Sequence, residues 1–190
     1  MINRVLIRLK IVQIIYAYYK NSGKTLKATE DEVFFSLSKA YDLYNYMLLL
    51  IVGITHYAAD RISFLSMKIR PTESDRNPNL KFVNNRFALQ LENNEQLKKF
   101  AEKSKLNWVE NSDLLRRMLD RIEESDIYKE YMAAETSSYE EDKELWRKLY
   151  KAFVFDNEEL DSLLEEQSLY WNDDKSIVDS FVLKTIKRFE

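Results

Sequence analysis

The sequence predicts an all-α protein, a multi-helix bundle of two packed helical subdomains, and three observations carry that prediction. Only two glycines and two prolines occur in 190 residues, too few for the tight turns of a sheet protein. Apolar residues recur at intervals of three and four along most of the chain, which is the helical period. Thr and Ser followed three residues later by Glu supply helix-start signals. Cysteine is absent, which excludes a disulfide scaffold and thiolate chemistry, and with 45% hydrophobic residues the chain is too apolar for disorder.

The first helix is expected from about Ile2 to Lys20. Val5, Leu6, Leu9, Val12, Ile15, Tyr16 and Tyr19 repeat at three and four, with Ile7, Ile11 and Ile14 on the flanks. A helix apolar on nearly all sides belongs in the middle of a bundle. Asn21-Ser22-Gly23 ends it. Thr29 with Glu32 reads as a capping box, opening a long helix to about Arg70 with a kink near Gly53. Pro71 to Asn79 is the one clear loop. Helical spacing resumes over 82–92, 95–103, 112–124 and 127–132, and the small, polar stretch Ala133 to Ser138 marks an internal boundary. Residues 1–134 then form an N-terminal helical region and 138–190 a C-terminal segment. In the latter, Ser138 and Glu141 form a capping box for a helix to Phe155. Asp156-Asn157 breaks it, Glu158 to Gln167 follows, and Asn172 or Asp173 caps a last helix. That helix meets the chain end with no glycine stop, as if the sequence continued.

Two apolar stretches invite a membrane reading. Ile11 to Tyr19 is broken by Gln13, and Tyr46 to Ile54 is short of the roughly 20 residues that cross a bilayer. Both are expected as buried helix in a soluble, cytoplasmic protein. Enzymatic chemistry finds little support. The single histidine, His56, lies on an apolar helix, no glycine-rich loop could wrap a phosphate, and the acidic clusters sit at helix starts where the dipole favours them. No catalytic residue, metal, cofactor or small-molecule substrate is expected.

Charge is distributed unevenly. Before Glu30 stand Arg4, Arg8, Lys10, Lys20, Lys24 and Lys27 with no acidic residue, whereas from Glu135 to Asp174 carboxylates outnumber Lys and Arg by thirteen to four. Cations along one helical face can contact successive phosphates, and Tyr16, Tyr18 and Tyr19 can stack on unpaired bases. The same spacing also fits tyrosines in a core behind arginines that merely solvate an exposed end.

Arg4-Val-Leu-Ile-Arg8-Leu-Lys10-Ile-Val12-Gln13-Ile-Ile-Tyr16 resembles the opening helix of the NusB transcription antitermination family, with Arg4, Arg8, Val12, Gln13 and Tyr16 matching in position. Val5 and Leu6 stand where that family is more basic. Trp146-Arg147-Lys-Leu149, Ala152-Phe153 and Leu160-Asp161-Ser-Leu163 are similar to the middle of the family, with Ala152 in place of glycine, and Trp171, Asp179 and Leu183 follow at near the family spacing. The resemblance covers the first twenty and last forty-five residues. It implies a long form with an insertion of roughly 120 residues, without the family's closing helices. It further implies a fold of paired bundles, binding to boxA-type single-stranded RNA, and a complex with the small-subunit ribosomal protein also called NusE and the transcription machinery. On this reading Arg4, Arg8 and Lys10 contact phosphates, with Gln13 or Tyr16 nearer the bases. An alternative expectation is a helical interaction module without RNA contact, whose acidic half docks a basic protein through Trp146, Tyr150 and Trp171 as aromatic anchors.

Overall fold

The computed structural model describes residues 4–20 and 25–189. Among them all regular structure is helical: α1 (Arg4–Lys20), α2 (Leu26–Ser66), α3 (Glu73–Arg76), α4 (Arg86–Glu92), α5 (Glu95–Ser104), α6 (Ser112–Glu124), α7 (Asp126–Ala133), α8 (Tyr139–Phe153), α9 (Glu158–Gln167) and α10 (Lys175–Arg188). The expected start at Ile2 and the Asn21-Ser22-Gly23 stop lie outside the described residues.

The axis of the molecule is α2, 41 residues and so about 60 Å long. It begins earlier than its sequence signal suggested. Thr25, with extended backbone, is the N-cap and accepts the Ala28 amide at 3.2 Å. Thr29 is already inside the helix, and its hydroxyl donates to the Thr25 carbonyl at 3.0 Å. The helix ends at Ser66, and the expected loop over Pro71 to Asn79 contains the single turn α3, held by a Thr72–Asp75 capping box. Gly53 does not interrupt α2. Its missing side chain lets Trp108 approach, since a Cβ there would stand 3.1 Å from Trp108 Cβ.

Around α2 pack α1, α4, α6 and α10, with α8 completing the core against α4 and α10. The core crosses the polar segment 133–138 without a break. Leu43, Leu50 and Ile54 of α2 share one cluster with Phe87, Leu119, Leu149, Leu160 and Val182. Residues expected in two subdomains thus meet in one core, each large aliphatic chain stabilising it by roughly 1.5–3 kcal/mol. Rings knit its centre: Tyr46 stacks on Trp108 with centroids 4.1 Å apart and leans on Trp171 at 5.5 Å. Among the described helices α2 alone is long and apolar enough to cross a bilayer. Its Leu43, Tyr46, Met47, Leu50 and Ile54 are fully buried by the surrounding helices.

The first helix corrects an expectation. It lies at the edge of the bundle, burying only the stripe Leu6, Lys10 and Ile14. Leu6 packs on Ala40 and Leu37 of α2 and on Phe181 and Ile177 of α10. Ile11, Val12, Ile15, Tyr16 and Tyr19 remain exposed. The surface formed by α2 and α10 covers one stripe of α1, and among the described residues no helix covers its opposite side.

Candidate nucleic-acid interface

The outward face of α1 is the candidate interface, and its composition follows from the period of 3.6. Opposite the buried stripe run Arg8, Val12, Ile15 and Tyr19, at steps of four, three and four, with Arg4 one turn before Arg8. Arg4 and Arg8 are exposed and form no ion pair with a described residue. Their Cα atoms are about 6 Å apart along the axis. Tyr16 and Tyr19 are 64% and 81% exposed, enough to offer whole ring faces. The Lys20 ammonium stands 5.8 Å from the Tyr16 ring centroid, adding a cation beside that ring.

Lys10 leaves the expected set of phosphate contacts. Three to four residues from Leu6 and Ile14, it falls on the buried stripe, and its Nζ lies 2.7 Å from Asp174 Oδ1. Only 3% of the residue is accessible. Gln13 is half-buried beside it and donates to Asp173 Oδ2 at 3.2 Å, which commits its amide to the protein. Burial raises the Asp174 carboxyl above its ordinary pKa, and Lys10 opposes that shift. Asp174 Oδ2 has no hydrogen-bond partner among the described residues. Nothing local announces these carboxylates, which lie some 160 residues away; the only hint is a lysine in phase with Leu6 and Ile14.

The proposed aromatic anchors of the acidic half are also corrected. Trp146, Tyr150 and Trp171 are 1%, 0% and 3% exposed, so none can meet a partner. Trp146 and Tyr150 fill the core because α8 turns its apolar stripe inward, and Trp171 enters it from the turn between α9 and α10. Trp146 packs against Phe82. Trp171 spends its indole N–H on the Lys39 carbonyl at 2.9 Å. Tyr150 donates to Asp179 Oδ1 at 2.6 Å, and burial, then the neighbouring Asp179, raise its hydroxyl well above the usual range. Lys175 completes that knot, 3.0 Å from Asp179 and donating to the Val154 and Phe155 carbonyls at the end of α8. These contacts hold α8 to α10.

The remaining surface of α1 therefore combines two guanidinium groups that pair with no carboxylate among the described residues with an apolar, tyrosine-rich stripe. Such a face can neutralise phosphates at one end and stack bases further along. Among the described residues no group of three or more His, Asp or Glu is placed to hold a metal ion. Set against protein-family models, curated proteins and solved structures, the chain has no match.

Proposed function

We propose that the protein is a cytoplasmic, non-enzymatic RNA-binding module of the transcription antitermination type, which contacts boxA-like single-stranded RNA through the outward face of α1. The observation that carries this reading is the exposure of Arg4 and Arg8, free of carboxylates among the described residues, in line with the exposed rings of Tyr16 and Tyr19. The resemblance of this helix to the NusB opening supplies the RNA class and the ribosomal partner NusE. Lys10 and Gln13 act in this reading as internal supports, holding α1 at the angle that presents the arginines.

A titration of a boxA-like single-stranded RNA at two or more salt concentrations tests it. Each phosphate contact contributes about 0.7 to the log–log salt slope for a single strand, so Arg4→Ala/Arg8→Ala should flatten the slope by about 1.4 and weaken binding. Unchanged affinity and slope would remove the RNA reading.

A second reading, a module that binds a protein without touching RNA, is favoured by a different observation. Val12, Ile15 and Tyr19 follow the a/d spacing of a coiled-coil seam and are exposed. On that reading α1, rather than the acidic half, is the docking face. Val12→Glu should abolish capture of the ribosomal partner while leaving the helical circular-dichroism signal intact.

A further inference from the structure

A groove far from α1 runs along the second half of α2, deep at Leu49 and Val52 and open at Asp60 and Phe64. Leu49, Val52, His56, Asp60 and Phe64 line one wall of a groove of about 520 Å³, at steps of three and four residues. They form one continuous face of four turns, about 22 Å long. Leu106, Trp108 and Leu115 form the opposite wall. Gly53 sets how close that wall comes, because Trp108 Cβ stands where a larger residue would crowd it. Apolar surface continues past the groove at both rims, with Val109 80% exposed, Phe64 72% and Met67 81%. A straight trough of this length that runs on into exposed apolar surface suits an amphipathic helix better than a compact molecule.

The groove's polar groups select the sign of the occupant. Arg61 is already neutralised by Asp120, at 2.6 Å, and by Glu123. His56 Nε2 faces Glu92 at 3.0 Å. Asp60 is exposed and forms no ion pair with a described residue. Among these named groups the one cation, Arg61, stands with four carboxylates, Asp60, Glu92, Asp120 and Glu123, an excess that disfavours a polyanion and leaves Asp60 open to a cation. We propose that this groove docks a basic amphipathic helix of a partner protein, with apolar side chains on the α2 face and an Arg or Lys against Asp60. The proposal is independent of the RNA reading and uses none of the same residues.

The test is fluorescence anisotropy with a labelled synthetic helix of about 16 residues, carrying Leu at i, i+4, i+7 and i+11 and Lys or Arg elsewhere. A scrambled peptide of the same composition serves as control. The expected result is saturable binding of the helix alone, weakened roughly tenfold by Asp60→Lys and lost in Val109→Glu, with both variants keeping the wild-type circular-dichroism spectrum. Equal binding of the scrambled peptide, or binding indifferent to both substitutions, would overturn the proposal. Binding of octylamine that depends on Asp60, without binding of the peptide, would overturn it too, since the site would then take a small cationic amphiphile.

Discussion

Lys10 and Asp174 form an ion pair at 2.7 Å with neither side chain more than 4% exposed, tying the first helix to the start of the last. Two ions removed from water are costly singly and tolerable together. Lys10→Met should therefore destabilise the fold by about 3–5 kcal/mol, because it strands a buried carboxylate. The double change Lys10→Met/Asp174→Leu should recover most of that loss. Urea denaturation of the three variants checks this, and equal midpoints for the single and double variants would contradict it.

If α1 meets RNA, its rings should matter separately from its charges. Stacking on an aromatic side chain is worth about 1–3 kcal/mol per base. Tyr16→Ala, at an exposed position, should weaken boxA-like RNA binding by that amount without changing the salt slope, whereas Arg8→Ala should reduce the slope. A salt slope altered by Tyr16→Ala would separate the ring from a stacking role.

All three tryptophans are sealed in the core: Trp108 and Trp171 are 3% exposed and Trp146 1%. Native fluorescence should be blue-shifted and nearly insensitive to acrylamide, with quenching appearing only on unfolding. Strong quenching of the native state would place at least one indole at the surface and reinstate Trp146 or Trp171 as a partner contact.

The cap of α8 predicts a pH dependence. Glu141 accepts the Ser138 amide at 2.7 Å, and that bond holds its carboxyl below the ordinary value of 4.5. A carboxylate with a lowered folded pKa stabilises the native state above its unfolded pKa and loses that contribution as pH falls through the folded value. The gap in urea midpoint between wild type and Glu141→Ala should thus be full at neutral pH and close in the acid range below 4.5. Asp174 and Asp179 act in the opposite sense, since burial raises both and their contribution fades as pH rises. They are common to both proteins, so the pairwise gap isolates Glu141. A gap independent of pH would show that the cap works without its charge.

Helix positions were legible in the sequence because their signals are local. The Ser138–Glu141 capping box, the Asp156-Asn157 break and the period of the last helix all lie within a few residues of the elements they define. Thr29 misled for the same reason: Thr25 offers the same hydroxyl four residues earlier, and the chain takes the longer helix. In α1 the pattern gave the helix but not its depth. Periodicity says which residues share a stripe, and it is silent on how many stripes find a neighbour.

By itself, then, the chain determined an all-helical protein with a basic, acid-free opening and its caps, since backbone hydrogen bonding and side-chain period act over one or two turns. Only the tertiary structure decided which charges and rings were spent inside. Lys10 met Asp174, Trp171 met the Lys39 carbonyl, and Arg4 and Arg8 met no carboxylate among the described residues. The physical reason is desolvation: a charge or ring changes role when a distant helix excludes water from it, and that helix is placed by packing rather than by sequence proximity.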